Sequence, residues 1–301
     1  MAHVEREIET QPACWRRAAA TAGERDVATA LPRPGERVAV AGCGTSLFVA
    51  RAYAARREAA GAGETDAFPA SEMPAGRAYD RVVALSRSGT TTEVLDLLDR
   101  LAGGAPTVVI TADASAPAAG AAGAAVVLDF ADERSVVQTR FATSALALLR
   151  AHLGEDLEPV AAEGEAALAA PLPEGALERT QFTFLGRGWT IGLAEEAALK
   201  LREAALAWAE AYPAMEYRHG PISIADERSL VWLFGDPPAG LRDEVAATGA
   251  RVVAEPAADP QAELLRAQRL AVALAEARGL DPDRPRHLTR AVVLPGGEER
   301  R

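Results

Sequence analysis

A strand that ends in Gly-x-Gly and hands over to a helix occurs twice in this chain, and that duplication restricts the possible folds more than any other feature. The first copy is Arg37-Val-Ala-Val-Ala41, then Gly42-Cys-Gly-Thr-Ser46, then a helical segment over about 47–60. The second is Gln181-Phe-Thr-Phe-Leu185, the turn Gly186-Arg-Gly-Trp-Thr190, and a helical segment from Ile191 to Ala211. Gly42 and Gly186 lie 144 residues apart, a spacing that indicates two related halves. Between and beyond them, apolar runs at Arg81–Leu85, Thr107–Ile110, Ala125–Leu128, 229–234 and 251–254 alternate with helical stretches such as 93–101. Short strands that are apolar throughout and separated by helices belong to parallel sheets buried on both faces. The first 30 residues read as a helix carrying Trp15, broken by Pro32, Pro34 and Gly35; residues 154–176 read as a helix with a linker.

A length of 301 residues suits about two domains. The net charge of −11 argues against a general nucleic-acid binder, which needs Lys and Arg to neutralise phosphates. Cys14 and Cys43 are far apart, and the four histidines form no ligand-spaced cluster, so neither a disulfide framework nor a metal site is expected. No stretch approaches the length of an apolar membrane span, and the first residues carry no secretion signal. These features predict a cytoplasmic chain with no membrane partner and no cofactor. A dinucleotide site needs a third glycine, and Leu47 and Ile191 stand at that position in the two copies.

Three groups of residues carry candidate chemistry. The loops Gly42–Ser46 and Ser86-Arg-Ser-Gly-Thr-Thr91 sit where strands pass into helices, where free N–H groups and hydroxyls suit a phosphate. The plainer reading is ordinary helix capping, which favours the same residues. On the long helix of the second half, Glu196, Lys200 and Glu203 fall on one face among alanines and leucines. They are either a solvated ion pair or a carboxylate tuned for proton transfer. Glu216-Tyr-Arg-His219-Gly-Pro221 places a histidine, able to act as acid or base near neutral pH, before a chain break.

Together these segments resemble the SIS (sugar isomerase) domain family, in particular the isomerase portion of glucosamine-6-phosphate synthase and related sugar-phosphate isomerases and deaminases. Gly42–Ser46 looks like the family's first phosphate loop, and Ser86–Thr91 looks like its Ser-x-Ser-Gly-x-Thr loop. Glu133-Arg-Ser-Val-Val-Gln-Thr-Arg140 is similar to its Glu-x-x-Val-x-x-Thr-Lys segment. Glu196–Glu203 and Glu216–Pro221 resemble its catalytic helix and histidine loop, and Asp281–Arg290 its tail. The resemblance implies an α/β fold of two tandem SIS domains, each a flavodoxin-like parallel sheet with helices on both faces. Its expected layout is an N-terminal helical segment over 1–30, a first domain over 31–165, a second over 175–280 and a tail over 281–301.

By the same resemblance, Cys43, Gly44, Thr45, Ser46, Ser86, Arg87, Ser88, Thr91 and Gln138 would bind the phosphate and sugar. Glu203 would move a proton between C1 and C2, Lys200 would steady Glu203 or the enediolate, and His219 would open the ring, reaching a neighbouring subunit's site in a homodimer. Arg290 stands at the family's tail lysine; an arginine stays protonated and forms no Schiff base, but it can clamp an oxyanion. Arg87 stands where the family usually has glutamine, and the family's glutamine-hydrolysing domain has no counterpart in this sequence. The implied substrate is a hexosamine 6-phosphate and the implied reaction an aldose–ketose isomerisation or deamination. Elimination of water from an N-acetylhexosamine 6-phosphate is an alternative, and so is a sugar-phosphate sensor without catalysis.

Overall fold

The computed structural model describes residues 2–295, so Met1 and the last six residues of the expected tail lie outside the described residues. In chain order the elements are α1 (His3–Glu9), α2 (Gln11–Ala22), α3 (Arg25–Ala30), β1 (Val38–Gly42), α4 (Thr45–Ala59), β2 (Thr65–Pro69), β3 (Arg81–Leu85), α5 (Thr92–Arg100), β4 (Thr107–Thr111), α6 (Pro117–Ala121), β5 (Ala124–Val127), α7 (Arg140–His152) and α8 (Glu158–Ala169). They continue with β6 (Gln181–Gly186), α9 (Thr190–Ala205), β7 (Trp208–Pro213), β8 (Ser229–Leu233), α10 (Leu241–Ala246), β9 (Arg251–Ala254) and α11 (Pro260–Ala277). No described helix is long and apolar enough to cross a membrane.

Two compact units result. One comprises, of the described residues, 14–133, 140–157 and 288–295; the other comprises 2–13, 134–139 and 158–287. The first, here the phosphate-loop unit, holds a sheet of order β2-β1-β3-β4-β5, parallel throughout. The second holds β7-β6-β8-β9, again all parallel. Both place the earliest strand between its next two successors, the flavodoxin order. Contacts therefore divide the N-terminal residues between the units, assign α8 to the second, and return residues 288–295 to the first.

Local sequence accounts for these elements. All five residues of β1 are buried, as a central parallel strand requires. In α5, Val94, Leu97 and Leu98 lie at helical spacing and pack on Val82, Ala84 and Val109 of the sheet. In the second unit, Leu185, Val231 and Leu233 of β6 and β8 meet Leu241 and Val245 of α10 and the buried Tyr217. Asp259 caps α11 by accepting the Gln261 N–H at 2.8 Å, with Pro260 in the first turn.

The duplicated glycines have one steric cause. A Cβ on Gly42 would stand 2.7 Å from the Ser46 carbonyl carbon, and one on Gly186 would stand 2.3 Å from the Thr190 carbonyl oxygen. In each unit the strand end therefore abuts the first turn of the following helix. Gly44 and Gly188 then turn the chain at φ of 54° and 53°.

Two sequence expectations are corrected. The helix expected to reach Ala211 ends at Ala205, where Leu206 adopts a left-handed conformation (φ 51°) and the chain enters β7. Pairing of Trp208–Pro213 with β6 overrides the helix preference of this alanine-rich stretch. The single helix expected over the first 30 residues is three helices, with Thr10 closing α1 and a break at Gly23–Glu24. Strand β2, which the apolar pattern did not mark, is a half-buried edge strand. The buried Arg57 donates to the Thr65 hydroxyl at 2.7 Å and Glu58 accepts the Thr65 N–H at 2.9 Å, fixing its start.

Candidate active site

Strands β1 and β3 are parallel neighbours, with Gly42 in register with Leu85. The loops that follow them therefore emerge side by side at the carboxyl edge of the first sheet, where ligands of open parallel sheets bind. Thr45 and Ser46 form the buried first turn of α4. The second loop is fixed from behind: the Arg87 carbonyl accepts the Ala112 N–H at 3.0 Å and the Gly89 carbonyl accepts that of Ala118 at 3.0 Å. Ser86 Oγ accepts the Gly89 N–H, and Ser88 Oγ accepts both the N–H and the hydroxyl of Thr90, at 3.1–3.2 Å. In both serines the oxygen is the acceptor, which leaves the hydroxyl proton to be donated to an incoming oxyanion. Thr91 holds the N-cap position of α5, yet its side chain makes no capping bond. Capping alone therefore does not explain the hydroxyls of this loop.

Cys43 lies in the first loop, and its thiol is pushed up to about 11, chiefly by burial and then by the Glu93 carboxylate. A raised thiol pKa keeps the sulfur protonated and unreactive at neutral pH. Alkylation of Cys43 by iodoacetamide at pH 8 is expected to run at least about tenfold slower than that of a free cysteine, and to accelerate only towards pH 11. Mass spectrometry of the peptide checks this, and rapid labelling at pH 8 would contradict it.

In the second unit, Lys200 Nζ stands 2.5 Å from Glu203 Oε2 and 3.5 Å from Glu196 Oε1. The Lys200 and Glu196 side chains are 1% and 2% exposed, whereas Glu203 is 18% exposed. A solvated surface pair is thus excluded; this is a buried ammonium between two carboxylates, with one of them reachable. Gln138 belongs to the same unit, and its Nε2 is buried with no hydrogen-bond partner.

His219 ends the 3-10 turn Glu216–His219 and is exposed. The turn is anchored at Tyr217 and Arg218. Tyr217 is fully buried, and Arg218 forks onto Glu244 at 2.6 and 2.9 Å and donates to the Ala239 carbonyl at 2.7 Å. The structure does not bring His219 to Lys200 and Glu203 within this unit. The turn follows the carboxyl end of β7, whereas α9 runs back across the sheet, placing Glu203 roughly 20 Å along the helix from its start.

Arg87 and Arg290, both in the phosphate-loop unit, meet. Arg87 Nη2 donates to the Arg290 carbonyl at 2.8 Å, and Arg87 Nη1 lies 3.7 Å from Glu133 Oε2. The Arg290 guanidinium donates in turn to the Glu133 carbonyl and to Asp132. Asp132, and Thr92 just past the second loop, were not marked in the sequence as site residues. Their tail partners are more than 150 residues away, and no local spacing signals such contacts. Among the described residues no group of side chains is arranged to hold a metal ion.

No family model matches the chain. It is 35% identical over 166 residues to a glutamine–fructose-6-phosphate aminotransferase (isomerizing) of Pyrobaculum aerophilum, covering 46% of this chain and 28% of that protein. The enzyme of the same description from Methanothermobacter thermautotrophicus is 29% identical over 306 residues, covering 86% of this chain and 52% of that protein. The chain thus spans about half, or less, of the curated relatives it matches. Among solved structures, a glucosamine-6-phosphate deaminase from Thermotoga maritima superposes with a TM-score of 0.80 at 26% identity, over 97% of this chain and all of that one. With the duplicated parallel sheets, these likenesses give the class: an α/β chain of two parallel-sheet domains similar to the SIS domains of sugar-phosphate isomerases and deaminases. Within that class, its homologues are the isomerase portion of the glutamine–fructose-6-phosphate aminotransferases.

Proposed function

We propose that the chain is an enzyme that abstracts the C2 proton of a ring-opened hexosamine 6-phosphate, working as an aldose–ketose isomerase or deaminase. The observation that carries this reading is the Glu196–Lys200–Glu203 cluster, a buried ammonium 2.5 Å from a carboxylate that remains reachable. Such a carboxylate can take a proton from one carbon and return it to the next, while a cation stabilises the charge that develops between.

The assigned roles follow the chemistry of each residue. The hydroxyls of Ser46, Ser86, Ser88 and Thr91, with the backbone of Cys43, Gly44 and Thr45, hold the phosphate. Gln138, with its buried amide group, orients the sugar. His219 opens the ring. Because its own unit holds it away from Glu203, it serves the site of a second copy in a homodimer. Glu203 then takes the C2 proton, giving an enolamine steadied by Lys200, and returns it to C1. The resulting C2 imine is hydrolysed by water to a ketose 6-phosphate and ammonia.

Arg290 supports a second reading, because it stands at the family's tail lysine and cannot form an imine with a ketose. With an acetylated amine, the same C2 carbanion would expel the C3 hydroxyl as water. Incubation with glucosamine 6-phosphate and, separately, with N-acetylglucosamine 6-phosphate tests both readings. Fructose 6-phosphate with an equivalent of ammonia is the expected result. A new vinyl proton from the acetylated sugar would move the assignment to a dehydratase. Binding of both sugars with turnover of neither would overturn the enzyme reading in favour of a sensor.

A further inference from the structure

We propose that Arg87 is a positioning residue that latches the segment 288–294 onto the second phosphate loop, rather than a ligand of the phosphate itself. The proposal rests on the functional reading only in naming that loop as the phosphate site. The Arg87 side chain is 3% exposed, and its two terminal nitrogens point away from solvent, to the Glu133 carboxylate and the Arg290 carbonyl. Glu133, whose side chain is fully buried, also accepts the Arg140 N–H at 2.6 Å, so the anion that holds Arg87 is itself fixed. Arg290 closes the loop of contacts through the Glu133 carbonyl and Asp132.

Beyond this clamp the tail continues along the start of α5. The Thr92 N–H donates to the Val292 carbonyl at 3.1 Å, and the Thr92 hydroxyl accepts the Leu294 N–H at 2.9 Å. One of the first-turn N–H groups of α5 is thereby taken by the tail. The segment so held exposes Val292, Val293 and Leu294 and has few other apolar anchors. The segment is therefore held by polar contacts, and the Arg87 fork is the buried one among them. A glutamine at position 87 carries no charge to pair with Glu133 and lacks the fork that spans both partners.

The test uses the variant Arg87→Gln/Glu133→Gln, which removes both buried charges together so that neither is stranded, and keeps an acceptor for Arg140. Trypsin cleavage after Arg290 in the folded protein is followed by mass spectrometry, with the bond after the exposed Arg228 as an internal control. Cleavage after Arg290 is expected to accelerate at least about tenfold while that after Arg228 is unchanged, because only the tail is released. Arg87→Lys, which keeps the charge without the fork, is expected to fall between. An unchanged rate at Arg290, or an equal acceleration at both bonds, overturns the latch. If the chain turns over a hexosamine 6-phosphate, the double variant should raise KM more than it lowers kcat. If no sugar phosphate is turned over, the functional reading fails while the cleavage rates still decide the latch.

Discussion

Glu203→Gln is expected to lower turnover of a hexosamine 6-phosphate by about a thousandfold while leaving its affinity within about threefold. Glutamine has the size of the carboxylate and can still accept a hydrogen bond from Lys200, but it cannot take a proton from carbon. The fold should tolerate the change, because Lys200 keeps Glu196 at 3.5 Å as a charged partner and Glu203 is the more exposed of the two acids. Removing Lys200 instead would leave Glu196 charged and buried, so loss of activity in that variant would mix catalysis with stability. Steady-state kinetics together with calorimetric binding of the sugar phosphate separate the two effects. Retention of more than about a tenth of wild-type turnover would rule out Glu203 as the base.

Gly186→Ala is expected to be the most destabilising small substitution in the second unit. The added methyl would stand 2.3 Å from the Thr190 carbonyl oxygen and 2.6 Å from the Ile191 nitrogen, both backbone atoms of the first turn of α9. No side chain can rotate to make room, so β6 and α9 must move apart at a cost of about 3 kcal/mol. For a chain of this size that corresponds to a fall in Tm of about 5 °C. Gly42→Ala, whose Cβ would stand 2.7 Å from the Ser46 backbone, should behave alike in the other unit. Gly76→Ala is the control: nothing lies within 4 Å of its Cβ, and the effect should stay within about 0.5 kcal/mol. Equal melting temperatures for Gly186→Ala and Gly76→Ala would contradict the close approach.

Those glycines also show why the architecture is legible in the sequence. Gly42 and Gly186 register a backbone contact that both copies of this strand–helix unit make, and the apolar runs of β1, β3, β4, β6 and β8 reflect burial on both faces. The Glu196–Lys200–Glu203 face was legible because helical spacing alone brings those residues together. Where tertiary pairing overrode local preference, the sequence misled: the alanine-rich end of α9 reads as helix but turns at Leu206 into β7. Strand β2 gave no apolar pattern because its start is fixed by Arg57 and Glu58. The division of the termini was hidden for another reason. Residues 288–295 return to the first sheet through Arg87, Glu133 and Thr92, and contacts over such separations leave no periodicity to read.

The proposed reaction begins with removal of the C2 proton of a hexosamine 6-phosphate by Glu203. Proton NMR in D2O, with enzyme added to glucosamine 6-phosphate, measures that step whatever the final product. The C2 proton signal is expected to be lost with the wild-type chain and to persist with Glu203→Gln. Persistence of that signal with the wild-type protein, under conditions where the sugar phosphate binds, would contradict the proposed reaction.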